Sequence, residues 1–326
     1  MGPPPFDPAV AIVVPARNAV ETIGLVVEDV RRQDPQGVHM VVVDDASTDG
    51  TAAAVARLAV DLPWLSVVKG GGGGPAAARN AGARATSAPW LAFVDADVRL
   101  DTSWLRNGLA HIAAGDSDVI EGVVMPRGGA DRGMVLHTAS STADGVFVTA
   151  NLWVRREVFD RVGGFDEAYR VPWREDTDLG WRLLDAGARA RSAPDVTVYH
   201  PFMRRPVRAL LREGPRLEAD ARLRSRFPER FRRLLPRRGY RTTYAAVIAL
   251  LALVVSVAVG LPVAVEVALA FVAELLALLA VRGAVVDRQR PRPAEWAALA
   301  AVAPAACVLR VGWVLRSNAA HRQWFW

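Results

Sequence analysis

Three short apolar runs, Val10-Ala-Ile-Val-Val14, Met40-Val-Val-Val43 and Leu91-Ala-Phe-Val94, are separated by segments of helical spacing. A strand with no polar face has to be buried on both sides, so something must cover each face of its sheet. The intervening segments can do this: between residues 22 and 32, Ile23, Val26, Val27 and Val30 share one side of a helix. The alternation predicts an α/β fold with a mostly parallel sheet flanked by helices. Pro15 is expected to stop the first strand. Ala46-Ser-Thr-Asp-Gly-Thr51 opens a second helix, with Ser47, Thr48 or Asp49 as its cap. Further strands are expected at 65–69, 118–125, 146–154 and 196–200, and further helices at 75–85 and 175–186. A glycine-rich loop over the site is expected at 126–144.

Acids stand where these strands end. Asp44 and Asp45 follow the second run, Asp95 and Asp97 follow the third, and Glu175-Asp176 opens a later helix just after Trp173. Ligands of open parallel sheets bind beyond the carboxyl ends of the strands, so the two strand-end sets converge on one edge. Carboxylates placed there suit a hard divalent cation together with a phosphate-bearing substrate. The G-x-G-x-x-G dinucleotide fingerprint is absent. The run Gly70–Gly74 has no Lys-Ser/Thr behind it, is not a P-loop, and reads as a flexible loop.

Six stretches in order carry a resemblance: V-V-P-A-R-N (13–18), V-D-D-A-S-T-D-G-T (43–51), A-A-R-N-A-G (77–82), F-V-D-A-D (93–97), V-G-G-F-D-E (162–167) and E-D-T-D-L-G-W-R (175–182). Over residues 8–202 the chain resembles the family 2 glycosyltransferases, inverting enzymes of the GT-A fold that use nucleotide-diphospho-sugars. The resemblance implies that Pro15, Ala16 and Arg17 line the nucleotide pocket. It gives Asp45 the base, Asp44 the ribose or the bracing of the turn, and Arg79 the base or diphosphate. It gives Asp95 the ribose or sugar, and Asp97 a divalent cation, Mg²⁺ or Mn²⁺. His200 would be a further metal or diphosphate contact. Asp176 would be the catalytic base, with Glu175 beside it.

These residue types fit the chemistry. The departing diphosphate gains negative charge that a divalent cation can neutralise. The attacking hydroxyl must lose a proton to a carboxylate across the sugar. Trp173 is expected to help raise that carboxylate's pKa by desolvation. Asp178 and Arg182 are expected to pair at i, i+4, and Asn151 to border the acceptor pocket. The Q-x-x-R-W motif of processive relatives is missing, which implies one sugar per acceptor. The D-L-Q-H-P run of polyprenyl-phosphate glycosyl synthases is replaced by Val98-Arg-Leu-Asp-Thr-Ser-Trp104, which weakens that alternative. A catalytically silent nucleotide-sugar-binding membrane scaffold is the other alternative, and the intact acids speak against it.

Residues 204–241 hold fourteen arginines against four acids, so the net charge of +6 is concentrated there. Leucines at helical intervals among them suit amphipathic helices on an anionic membrane face. Interleaved aromatics and any nucleic-acid-binding fold are lacking, and nucleic acid is excluded as a partner. Residues 243–281 are long enough for two membrane helices and 295–315 for a third apolar helix. Glu266 and Glu274, eight apart, share a face of the pair. The expected organisation is a catalytic domain at 1–203, a basic juxtamembrane segment at 204–241 and a membrane region at 242–326. Flanking arginines put the catalytic domain on the cytoplasmic side of a multi-pass protein. The acceptor is expected to be lipid-linked or part of the cell envelope. The N-terminus does not read as a signal peptide, and the single Cys307 permits no internal disulfide.

Overall fold

The computed structural model describes residues 7–127, 136–137, 145–201, 203–204, 211–212 and 214–235, with isolated positions from 258 onward. The chain begins with the alternation read from its sequence: β1 (Val10–Ala16), α1 (Ile23–Arg31), β2 (Val38–Asp44), α2 (Thr51–Leu58), β3 (Leu65–Lys69), α3 (Pro75–Arg84) and β4 (Trp90–Phe93). It continues through β5 (Arg99–Leu100), α4 (Trp104–Ala114), β6 (Val119–Arg127) and β7 (Leu136–His137). Then come a 3₁₀ turn (Thr149–Asn151), β8 (Leu152–Arg155), α5 (Arg156–Arg161), α6 (Glu175–Asp185) and β9 (Ala190–Pro201). The last described elements are β10 (Met203–Arg204), α7 (Gly214–Arg226) and α8 (Pro228–Leu234).

Eight strands form one sheet in the order β3-β2-β1-β4-β8-β6-β9-β5. β3, β2, β1 and β4 are parallel to one another, whereas β8 runs antiparallel to both β4 and β6, and β5 antiparallel to β9. Alternate residues of β1 and β2 (Val10, Ile12, Val14; Val38, Met40, Val42) share a core with Ile23, Val26, Val27 and Val30 of α1. Trp104 and Trp153 stack in the same core with ring centroids 4.6 Å apart. Burial of each such side chain contributes about 1.5–3 kcal/mol. On the opposite face α3 lies so close to the sheet that a Cβ at Gly82 would collide with Val13.

Several expectations change. β1 runs through Pro15 to Ala16 rather than stopping at the proline. The Val13 carbonyl accepts Val94 N–H toward β4, and the Ala16 carbonyl accepts Asp45 N–H toward β2. Pro15 therefore turns its donorless nitrogen toward β4, where the ladder has already ended at Val13 and Phe93. The cap of α2 is Gly50 at φ 90°, while Asp49 accepts the Thr51 N–H at 3.0 Å. The strand expected at 146–154 is only β8, because Phe147 at φ 59° breaks the extended path. α4, α5 and β5 were not anticipated.

The chain divides into two units, 1–128 with 138–202, and 129–137 with 203–326. In the second, β7 and β10 pair antiparallel. α7 buries Leu217 and Leu223, and α8 starts on Pro228 at its first turn and buries Phe231. Arg226, Arg232 and Arg233 are exposed, so both helices are amphipathic. Among the described residues no helix is long and apolar enough to cross a membrane. The apolar segments at 243–281 and 295–315, with Glu266 and Glu274, lie outside the described residues apart from isolated positions.

Candidate functional site

The carboxyl ends of β1, β2 and β4 bring Pro15-Ala16, Asp44-Asp45 and Asp95 to one edge of the sheet. The loops leaving β1 and β2 are laced together. Asn18, at φ 52°, donates its N–H to Ser47 Oγ and accepts the Thr48 N–H through Oδ1 at 2.8 Å. Arg17 stands exposed beside this lacing and pairs with no described acid.

Asp44 and Asp45 are both buried, and Oδ1 of each has no hydrogen-bond partner among the described residues. A buried carboxylate oxygen left without a donor is costly, which marks these two positions for a ligand. The glycine run is not merely a flexible loop. Gly70 N–H donates to the Asp44 carbonyl at 2.8 Å, and Gly74 N–H to Asp45 Oδ2 at 3.0 Å. A Cβ at Gly70 would stand 3.2 Å from Asp45 Oδ1, and one at Gly74 (φ 94°) would collide with the Arg170 carbonyl. The missing side chains let the backbone wrap the Asp45 carboxylate.

Next to this pocket, Asp95, Asp97 and His200 each offer a ligand atom within 4.8 Å of the others. His200 Nε2 is 3.6 Å from Asp97 Oδ1. Its Nδ1 lies 2.8 Å from the Pro201 carbonyl, which can only accept, so Nδ1 carries a proton and Nε2 is the ring nitrogen turned toward Asp97. Burial, and then the Asp95 charge, push the Asp97 carboxyl above the usual range, while His200 opposes the shift. Two carboxylates and an imidazole so grouped suit a divalent cation.

Arg79 joins the two sides of the site. It is 3% exposed, and its guanidinium donates to Asp95 Oδ1 at 2.8 Å and to Glu175 Oε1 at 2.9 Å. Burial opposes its charge, but the two carboxylates more than offset this and hold it fully protonated. Breaking a buried pair of this kind costs about 3–5 kcal/mol, because an uncompensated charge is left behind. Glu175 is buried, with Oε2 unpartnered among the described residues. Burial first, and then repulsion from Asp176, push its pKa up to about 7, against the pull of Arg79. Asp176 is half-buried and its carboxyl is also raised, mainly by burial. The Thr177 N–H, at 2.7 Å from its Oδ1, opposes that rise. Both acids sit in the first turn of α6, where the helix dipole favours negative charge. Trp173 carries the Arg174 guanidinium 4.7 Å over its ring.

Asp178 is buried and accepts Arg182 Nε at 2.7 Å, the i, i+4 pair read from the sequence. Asn151 does not border a pocket. It is fully buried, donating to the Val123 and Val196 carbonyls and accepting Trp104 Nε1–H at 2.9 Å. Asn80, to which the sequence assigned no role, ties two of the motifs together. Its Oδ1 accepts the Phe165 N–H and its Nδ2 donates to the Phe165 carbonyl, both at 2.9 Å. A cavity of about 520 Å³ lined by Asp29, Arg99, Asp101 and Tyr199 contains none of the site acids. Its own acids are committed, Asp29 to Arg99 and Asp101 to Ser103.

The family model described as glycosyl transferase family 2 matches residues 11–168. The pre-mycofactocin glycosyltransferase of Mycobacterium tuberculosis is 31% identical over 223 residues, 60% of this chain and 44% of that protein. The chain thus spans less than half the length of that relative. Glycosyltransferase AglE of Haloferax volcanii is 31% identical over 221 residues, 63% of this chain and 70% of that protein. Among solved structures, the mannosyltransferase PcManGT of Pyrobaculum calidifontis, in complex with GDP-Man and Mn²⁺, shares the fold with a TM-score of 0.58 at 22% identity. That match covers 97% of this chain and 89% of PcManGT. With six ordered motifs, a mixed sheet edged by acids and these relatives in agreement, the chain belongs to family 2 of the glycosyltransferases.

Proposed function

We propose that this protein transfers one sugar from a nucleotide-diphospho-sugar to a hydroxyl of a lipid-linked or cell-envelope acceptor, inverting the anomeric carbon, at the cytoplasmic face of a membrane. The observation that carries this reading is the Arg79 bridge. It fixes the acids at the end of β4 against those that open α6, so donor and proton acceptor are held in one frame.

The nucleotide would lie over Pro15, Ala16 and Arg17, where the unpartnered Oδ1 atoms of Asp44 and Asp45 await donors from base and ribose. Asp95, Asp97 and His200 would hold a divalent cation, Mg²⁺ or Mn²⁺, and their donor set fits one. Bound there, the cation supplies charge neutralisation for the departing nucleoside diphosphate. Asp176, more accessible than Glu175, takes the proton of the acceptor hydroxyl. The hydroxyl oxygen bonds to the anomeric carbon as the bond from that carbon to the phosphate oxygen breaks. A raised carboxyl pKa favours proton transfer near neutral pH. The basic helices α7 and α8 and the apolar stretches beyond them support placement at a membrane.

The test is release of nucleoside diphosphate from a panel of uridine, guanosine and thymidine diphospho-sugars with Mn²⁺ and lipid-linked acceptors. Turnover that falls to background in Asp97→Ala and on chelation is expected. Binding of a donor with no turnover under any acceptor condition would overturn the enzymatic reading.

A further inference from the structure

The cavity of about 520 Å³ takes no part in the chemistry described above. Asp29 and Arg32 reach it from α1, Arg99 from β5, Asp101 from the turn after β5, Arg127 from β6 and Tyr199 from β9. Its volume falls in the range of small-molecule sites, about 300–1,000 Å³. None of Asp95, Asp97 and His200 lines it. Tyr199 and His200 are consecutive on β9, so the strand turns them to opposite sides.

The charged groups of the wall are three arginines and two aspartates, and the aspartates are satisfied from within the wall and its flanks. Asp29 Oδ2 accepts Arg99 Nε at 2.6 Å and the Leu100 N–H at 3.0 Å, and its Oδ1 accepts Arg99 Nη2 at 2.5 Å. Asp101 Oδ1 accepts the Ser103 N–H at 3.0 Å and the Ser103 hydroxyl at 2.7 Å, and its Oδ2 accepts the Tyr199 hydroxyl at 3.3 Å. Each carboxylate oxygen of the wall therefore already has a donor. The arginines, with five N–H groups apiece, have donors to spare. Among the described residues Arg99 leaves Nη1 over, Arg32 hydrogen-bonds an acid only through Nε, at Glu28, and Arg127 pairs with no acid. The Arg127 charge is felt inside the cavity. Burial, and then the Asp101 charge, push the Tyr199 hydroxyl above its usual range, and Arg127 opposes that shift.

The wall thus presents an occupant with positive charge and forked N–H donors, the chemistry that recognises phosphate. A cation or a neutral sugar would call on acceptors, and the carboxylates here are already engaged. We propose that this cavity binds a phosphate group, held by Arg32, Arg99 and Arg127, at a site distinct from the donor pocket. The group comes from a free phosphate ester or from the headgroup of a lipid.

Calorimetric titration of the full chain with inorganic phosphate, at constant ionic strength and with chelator but no donor, tests this apart from turnover. Arg127→Gln should weaken binding about tenfold or more, the loss of a charge-assisted hydrogen bond, while its thermal midpoint stays at that of wild type. Tyr199→Phe frees Asp101 Oδ2 to face the anion and should weaken binding less. Arg32→Gln, on an exposed stretch of α1, gives a second reading should Arg127→Gln not fold. Phosphate affinity unchanged in both arginine variants, or no saturable binding by wild type, overturns the proposal. Capture by phosphatidylcholine vesicles containing phosphatidic acid separates the sources. Capture that falls in Arg127→Gln and is competed by inorganic phosphate supports the site and assigns it a lipid headgroup. Unchanged capture beside weakened phosphate binding supports it and assigns a free phosphate ester. Neither donor nor acceptor enters these measurements, so failed transfer with intact phosphate binding would count against the proposed function alone.

Discussion

The β3-β2-β1-β4 half of the sheet and the β8-β6-β9 half are held by different means. In the first, Val10, Ile12, Val14, Val38, Met40 and Val42 are wholly buried, and the strands are parallel throughout. Its polar groups gather at the strand ends, and two carboxylate oxygens there are unpartnered among the described residues. In the second, an apolar core of Ile120, Leu152, Trp153 and Val198 encloses buried polar groups as well. Glu121, Asn151, Thr177 and Asp178 are buried, and each is hydrogen-bonded to a distant segment or to α6. The first half is built to receive a ligand and the second to hold one helix terminus in place. Arg79, on an element of the first half, is the joint between them. Apolar packing tolerates small shifts, whereas a buried polar network that is partly broken costs more than it contributed whole.

That contrast can be broken at several points. The largest effect is expected from Asp176→Asn, which removes the proposed proton acceptor and little else. Steady-state kinetics should show kcat down about 10²–10⁴-fold with donor KM nearly unchanged. If donor KM rises instead, the two halves are not separate in function. Next comes Arg79→Met, which unties the joint and strands Asp95 and Glu175. A loss of about 3–5 kcal/mol in urea unfolding is expected, together with loss of turnover. A variant as stable as wild type would mean the bridge holds nothing together.

A smaller effect comes from Glu175 through pH. Well below pH 4.5 its carboxyl is protonated in both the folded and unfolded chain. Above that the unfolded chain releases the proton while the folded one keeps it up to about 7, so stability falls as pH rises through this window. The loss is on the order of a few kcal/mol at most, from about 1.4 kcal/mol per pKa unit. Unfolding midpoints from pH 4 to 8 should flatten in Glu175→Gln, and an unchanged slope would remove Glu175 as the source. The smallest effect is expected in the first half. Gly74→Ala forces a side chain into φ 94° against Arg170 and loosens the bond to Asp45. About 1–3 kcal/mol of stability should be lost, with donor KM raised and kcat kept. A fall in kcat alone would blur the division between the halves.

The two halves also differ in how much of them can be read from the chain. The parallel strands and their helices follow from apolar runs and helical spacing, which are local signals. So does the pairing of Asp178 with Arg182, four residues apart on one helix face. The antiparallel entry of β8 between β4 and β6 has no local signature, and neither does the left-handed Phe147, a position that glycine does not occupy. Asn151 looked like a pocket residue because a short polar side chain beside a strand reads the same whether it faces solvent or three protein partners. The glycine run read as a loop because glycine carries no side chain to show what its backbone encloses.

By itself the sequence determined which residues could carry charge at the strand ends, because apolar periodicity fixes strands and a parallel sheet sends their ends to one edge. It placed Asp44, Asp45, Asp95, Asp97, Glu175 and Asp176 in the family's order. Only the tertiary structure decided which of them meet. Arg79 and Glu175 are 96 positions apart, yet 2.9 Å apart in space, and Glu121 reaches Phe147 across 26 positions. Contacts of that separation depend on how whole elements pack, and the burial that raises Glu175 and Asp176 exists only once α6 is seated.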